Sequence, residues 1–263
     1  MIGIQRLHCV AIALGAAMYA CGGNPTTSTP VSGVCRNYAS SVTSTTTTTN
    51  TFPFVITSTQ NITSSYDTAT NRLSATGTAT SSLGCQYSGS WTTNYGSVAD
   101  FVDEVSVIPP KMRWTTQSAT VTRSGPDGPC GNGTFTGTTT NSYDSQGRLV
   151  RSVLTGSGFS FPGVAYEGKG DYTAWDVLGR PTAYPLSPPR WVISYDDAAR
   201  TRSTTLNSGG LNITTVDTFD ANGNPVRSQT VTRVAPPPIT GGTESVETAD
   251  TRFEIGATVR VCR

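Results

Sequence analysis

Histidine is all but missing from this chain, since His8 is the only one in 263 residues. Beyond it no Ser-His-Asp or Cys-His relay can be assembled and no histidine metal site can form. Lysine is nearly as scarce, so a Ser-Lys pair would have to use Lys111 or Lys169. Charged side chains make up 13 % of the residues, and beyond residue 20 the 17 basic ones are matched by 17 acids. Without a basic field, neither nucleic acid nor an anionic lipid surface is a favoured partner. Leu, Ile, Val and Phe together number 50, about 19 % of the chain, which excludes a large apolar interior. Net charge near zero separates this composition from the high-charge signature of disorder.

Threonine and serine fill the gap, with 45 and 28 copies. Thr-rich, Val-rich alternation suits a pleated sheet with one or both faces wet, because β-branched side chains sit well on the pleat without a deep core. The longest apolar run, Cys9 to Ala20, is 12 residues, too short to span a bilayer, and it follows Arg6 with no acid before it. Residues 1–20 therefore read as a signal peptide. Met18-Tyr19-Ala20-Cys21, followed by Gly22-Gly23, resembles the lipobox of bacterial lipoproteins. That resemblance implies cleavage before Cys21, a lipid on Cys21 and, with Gly rather than Asp next in line, the outer membrane; an ordinary signal-peptidase site would instead free the protein. Residues 21–34, rich in Pro, Gly, Ser and Thr, read as a flexible tether. Residues 35–263 are left as one domain.

Four cysteines remain in that domain: Cys35, Cys85, Cys130 and Cys262. Behind an export signal they read as two disulfides with three connectivities. Local pairing, Cys35 with Cys85 and Cys130 with Cys262, is the expectation.

The organising pattern is a corner. Asn141 to Val153 (NSYDSQGRLVRSV) reads as a strand ending in Tyr143, a turn carrying Asp144 and Gly147, and a return strand. Asp at the first turn position accepts backbone hydrogen bonds, and Gly at the fourth takes φ > 0, which folds the strands together. Related corners are Tyr66-Asp67 with Asn71 in the glycine's place, Trp175-Asp176 with Gly179, Tyr195-Asp196 with Ala199, and Phe219-Asp220 with Gly223. Asn tolerates the left-handed conformation. Ala199 does not, so that turn should differ. The 77 residues between Asp67 and Asp144 leave room for degenerate copies. Tyr87, Trp91 and Tyr95 share one face by alternation, as do Trp191, Ile193 and Tyr195, and Leu211, Ile213 and Phe219. Two stretches stay open: Ser40 to Thr51 as strand or loop, and Ser97 to Val105 as a short helix or a strand.

Together these signals predict an all-β chain, an antiparallel meander of ten to fourteen strands in one curved sheet, as a half-barrel, an open barrel or a short spiral. The Tyr-Asp-x-x-Gly-Arg-Leu pattern centred on Tyr143 resembles the YD (Rhs) repeat family. The resemblance implies repeated β-hairpins and a role at the cell envelope, structural or in binding a polymer, glycan or protein partner. Larger family members enclose toxins; this chain is too short for such a shell, which leaves an accessory or remnant of a toxin system as one alternative.

No catalytic residue, cofactor or metal site is expected. Asp220-Ala221-Asn222-Gly223-Asn224 lacks the distal bidentate Glu of a calcium loop. A carboxylate-dependent glycoside hydrolase, drawing two acids from Asp103, Glu104, Glu167, Asp171 and Asp197, is the other alternative. Trp91, Trp114, Trp175 and Trp191 are candidates for a sugar-stacking platform.

Overall fold

The computed structural model describes residues 35–51, 55–96, 114–126, 130–145, 149–158, 165–171, 174–177, 180–185, 190–236 and 243–262. Residues 1–34, which the sequence suggests are a leader and a tether, and Ser97–Val105 lie outside them. The described chain is all β. Its first eight strands are β1 (Cys35–Asn50), β2 (Ile56–Asp67), β3 (Arg72–Ser81), β4 (Gln86–Tyr95), β5 (Trp114–Ser124), β6 (Gly133–Tyr143), β7 (Leu149–Ser157) and β8 (Ala165–Asp171). The other seven are β9 (Ala174–Trp175), β10 (Pro181–Pro185), β11 (Arg190–Asp196), β12 (Thr201–Ser208), β13 (Leu211–Phe219), β14 (Pro225–Val234) and β15 (Ser245–Cys262). The threonine run belongs to β1, whose β-branched residues pair with β2 on one edge and β15 on the other.

All strands lie in one antiparallel sheet, in the order β8-β7-β6-β5-β4-β3-β2-β1-β15-β14-β13-β12-β11-β10-β9. Each strand pairs with its sequence neighbours except that β8 and β9 do not pair with each other, and β15 closes onto β1. In such a meander strand direction alternates, and it follows that β8 and β9, the two ends of the order, run the same way. Only residues 172 and 173 separate them. β8 pairs with β7 through Arg151↔Asp171 to Ser157↔Ala165, and β9 pairs with β10 through Pro181↔Trp175 and Ala183↔Ala174. Laid flat, a sheet of this many strands at about 4.8 Å spacing would hold its edges more than 60 Å apart. Two residues span about 10 Å at most from Asp171 to Ala174. The sheet is therefore strongly curved, an open barrel that brings its two edge strands near each other without a β8·β9 ladder to close it.

Curling gives the sheet an inner, shielded face and an outer, exposed one. Ile62, Tyr66, Leu73, Ala75, Trp91, Tyr95, Val121 and Phe135 are buried or half-buried on the inner face, while Thr57, Thr59, Thr63, Thr76, Thr78, Thr120 and Thr134 are exposed between them. The inner face also shields polar groups. Thr93 is 1 % exposed, Thr48 4 % and Gln60 5 %. The Gln117 side-chain amide donates to Thr93 Oγ1 at 2.9 Å, satisfying both in the interior.

Large aromatics lie flat along this wall because glycines make room for them. Gly77 and Gly89 face each other across β3 and β4, and a Cβ on Gly89 would sit 2.8 Å from the Trp91 ring. Gly137 and Gly156 face each other across β6 and β7, and a Cβ on either would sit 2.7 Å from Phe135 Cζ. An aromatic covering cross-strand glycines restores the apolar contact that glycine lacks.

The disulfide expectation is corrected. Cys85 bonds to Cys130, not to Cys35. Cys85 closes the turn after β3 and Cys130 sits in the loop after β5, two connections at the same end of the barrel with one hairpin between them. Cys35 begins β1 at the opposite end, out of reach of Cys85.

Candidate functional site

Alternating strand direction has a second consequence. The five aromatic-Asp corners follow β2, β6, β9, β11 and β13, and all of these strands run the same way. Every corner therefore lies on one rim, where β1 also begins and β15 ends. The opposite rim carries the disulfide and the connections after β1, β3, β5, β12 and β14.

Two corner types build the rim. In the corners after β2 and β11, four residues connect the strands and the last takes the left-handed conformation, Asn71 at φ 52° and Arg200 at φ 56°. Asp67 Oδ1 accepts from Ala69 N at 2.9 Å and its Oδ2 from Thr70 Oγ1 at 2.7 Å; Asp196 Oδ1 accepts from Ala199 N at 2.9 Å. Those bonds hold the Asp67 carboxyl below its ordinary pKa, the Thr70 hydroxyl contributing most. Ala199 thus escapes the strain foreseen for it, because the left-handed position falls one residue later. In the corner after β13, Gly223 has φ 81°, and Asp220 Oδ1 accepts from Asn222 N at 2.8 Å and Asn224 N at 2.9 Å. After β9, Asp176 Oδ1 accepts from Arg180 N at 2.8 Å. In the corner after β6, Gln146–Arg148 lie outside the described residues.

Beneath the corners runs an aromatic belt on the inner face. Tyr66, Tyr143, Tyr195 and Phe219 belong to it, the last two on the faces that alternation assigned them, and Trp175 ends β9 at the same rim. Tyr38, Tyr95 and Trp114 join it, and the motif did not announce these. Tyr38, Tyr66, Tyr95 and Trp114 form one buried cluster with Leu73 and Val259 against it. Tyr66 and Tyr95 meet edge to face at 5.9 Å, and the Tyr143 hydroxyl donates to Trp114 O at 2.8 Å. Tyr95, at the end of β4, occupies the place a corner aromatic would take, in the interval where degenerate copies were expected.

Two arginines tie the rim together, and neither was singled out from sequence. Arg180 is 5 % exposed. Its Nε donates to Asp176 Oδ2 at 2.7 Å, and Nη1 and Nη2 donate to Asp197 Oδ1 and Oδ2 at 2.8 and 3.2 Å, with the guanidinium 4.0 Å from the Tyr195 ring centroid. Burial alone would lower the Arg180 pKa, but the hydrogen bonds to Asp197 and Asp176 outweigh it and leave the group above its ordinary value. This clip joins the corner after β9 to the corner after β11. Inside the barrel, Arg202 Nε and Nη2 donate to Asp217 Oδ2 at 2.9 and 2.7 Å, and Ser228 Oγ donates to Asp217 Oδ1 at 2.7 Å. A signal for this triad was available, since an acid at 217 falls on the face that Leu211 and Ile213 define.

Chemically, five of the described carboxylates of the rim are committed. Asp67, Asp196 and Asp220 hold turn backbone, and Asp176 and Asp197 share one guanidinium. Asp103 and Glu104 lie outside the described residues, and Glu167 and Asp171 are placed only as backbone in β8. Among the described residues no cluster of three His, Cys, Asp or Glu could hold a metal ion. The tryptophan platform is not assembled. Trp91 and Trp114 are 6 % and 1 % exposed, buried in the wall and in the belt. Trp175 and Trp191 are half-buried at opposite rims.

In sequence the chain matches no family model and no curated protein. Among solved structures, a porin-like protein from Bacteroides uniformis is similar with a TM-score of 0.28 and 11 % identity, over 83 % of this chain and 98 % of that one. The translocator domain of the autotransporter NalP from Neisseria meningitidis is similar with a TM-score of 0.33 and 10 % identity, over 94 % of this chain and 95 % of that one.

Proposed function

We propose that this chain is a non-enzymatic lipoprotein of the outer membrane, a YD-type repeat barrel with a structural or binding role at the envelope. The lipid sits on Cys21, and the wall of the barrel stays in water. One observation carries the reading: the outer face is hydroxyl-rich, not apolar. A barrel that crosses an outer membrane needs an outward apolar band about 25 Å tall, flanked by aromatic girdles. On β1 to β6 the exposed positions are threonine, serine, asparagine and glutamine almost throughout, and the aromatics face inward. The large hydrophobics exposed among the described residues are Val55, Leu83, Val177 and Val192, the first three in connections between strands. Attachment to the membrane thus falls to an acyl chain.

The commitment of the rim carboxylates to turns and guanidinium groups favours this reading over a glycoside hydrolase, which needs one proton-bearing and one free carboxyl at a defined separation. A glycan or protein partner would meet the hydroxyl-rich face of β1 to β6, since Trp91 and Trp114 are buried.

Membrane fractionation of wild type and Cys21→Ser tests the reading. Wild type should sediment with the outer membrane and need detergent for release, whereas Cys21→Ser should appear in the soluble fraction, folded. A Cys21→Ser protein that stays membrane-bound and resists carbonate extraction would show that the wall itself is inserted and overturn the proposal. A glycan and peptidoglycan array read by tryptophan fluorescence then separates a binding role from a purely structural one.

A further inference from the structure

We propose that Cys35 and Cys262 form a second disulfide, which locks the first strand of the barrel to the last at the point where the chain enters the fold. The two residues face each other as the first rung of the β1·β15 ladder. Facing residues in an antiparallel pair have Cα atoms about 4.5 or 5.5 Å apart, and both spacings lie inside the span a disulfide bridges. The Cys85–Cys130 bond removes the other two cysteines of the domain from competition.

The place of the rung gives the bond a purpose. Pairing of β1 with β2 begins only at Ser41↔Ser65, so residues 35–40 overhang and are laddered to β15 alone. Immediately after the overhang the β1·β15 register shifts twice, between Ala39 and Ser41 and between Ser41 and Val42. Apart from the Asn224 side chain, which bonds Ala39 N and Asn37 O, this strand end is held on one edge only and is interrupted by two irregularities, the kind of terminus that frays first. It is also where any load on the preceding segment enters the barrel. A covalent rung outside the irregularities carries that load into β15, the neighbour that closes the meander.

Formation is ordinary thiol–disulfide exchange. One cysteine thiolate attacks a donor disulfide of the exporting compartment, giving a mixed disulfide and one donor thiol. The second thiolate then displaces the other donor sulfur. The two cysteines lose two protons and two electrons, and the donor disulfide leaves as a dithiol.

Peptide mapping of the exported full-length protein tests this. Free thiols are alkylated in denaturant, and trypsin is applied without reductant. Cleavage after Arg36 and Arg260 should release Val261-Cys262-Arg263 only in disulfide linkage to the peptide ending at Arg36, and the free tripeptide should appear only after reduction. In Cys35→Ser, Cys262 should become fully alkylated while Cys85–Cys130 persists. Alkylated Cys35 and Cys262 in the wild type would overturn the proposal. So would Cys262 linked to any other cysteine, Cys21 or a second molecule included. The wild-type map decides the matter even if the variant does not fold.

Discussion

Asn224 grips the backbone of β1 next to Ala39, 185 residues away in the chain: its Oδ1 accepts from Ala39 N at 2.7 Å, and its Nδ2 donates to Asn37 O at 3.1 Å. The same amide nitrogen donates to Asp220 Oδ2 at 3.0 Å. One side chain in the corner after β13 thus reaches past β15 to satisfy a donor and an acceptor of the overhanging end of β1. Asn224 is 4 % exposed, and the Ala39 and Asn37 groups it bonds are part-buried.

Asn224→Ala should destabilise the protein by about 1–3 kcal/mol, the cost of leaving part-buried backbone groups and Asp220 without their partner. Asn224→Asp keeps the acceptor for Ala39 N but places a second carboxylate beside Asp220 and an acceptor against Asn37 O. It should be worse than alanine at pH 7 and recover part of the difference on acidification. Urea midpoints of the three proteins at pH 7 and pH 5 measure both effects.

Removing one partner of the Arg202–Asp217 pair should be far more damaging than removing both. Asp217→Ala leaves a buried guanidinium uncompensated and Ser228 without its acceptor, a loss of about 3–5 kcal/mol. The double variant Arg202→Met, Asp217→Leu replaces charge by apolar volume and should lie within about 1 kcal/mol of wild type. A double-mutant cycle by chemical denaturation reads the coupling.

Arg200 holds a left-handed conformation that costs a side-chain-bearing residue about 1–2 kcal/mol, while glycine accepts it at a smaller entropic penalty. Arg200→Gly should therefore stabilise the protein by about 0.5–1 kcal/mol, raising the melting temperature by about 1–4 °C. Ala199→Gly, one residue earlier and outside that conformation, should give no gain. Calorimetry of the two variants distinguishes the register of the turn seen here from the one the motif suggests.

Burial raises the Tyr95 phenol above its ordinary pKa, and the neighbouring Tyr143 and Tyr66 add to the shift. The fold thus favours the neutral phenol. Its contribution is fully present below about pH 10, the unfolded value, and is lost as pH rises beyond that toward the higher folded value. Stability should hold to about pH 9 and fall steeply above 10, and Tyr95→Phe should flatten that alkaline limb. Urea midpoints between pH 8 and 11, with phenolate absorbance as a second readout, check this. On the acid side Asp67 and Asp250 are both held below their ordinary values, the former by Thr70 and the latter by the Arg227 hydrogen bond. What they contribute is present above about pH 4 and fades below it.

Much of the architecture was legible because its signals are local. Alternation placed Tyr87, Trp91 and Tyr95 on the shielded face, since a strand shows every second residue to the same side. Asn71 and Gly223 marked left-handed corner positions because few residues tolerate them. Arg200 was missed for the same reason, as an arginine carries no such mark. The tryptophans looked like a surface because sequence records which residues share a strand face and not whether that face is covered.

By itself, then, the sequence determined an all-β meander, its corners and its faces, all set by backbone sterics and the two-residue pleat within a few neighbouring positions. Only the tertiary structure decided that β15 closes onto β1, that β8 and β9 are the two edges of the sheet, that five corners share a rim and that Cys85 meets Cys130. Those facts depend on strand order and direction around the whole sheet, and on contacts between residues far apart in the chain, where no local propensity reaches.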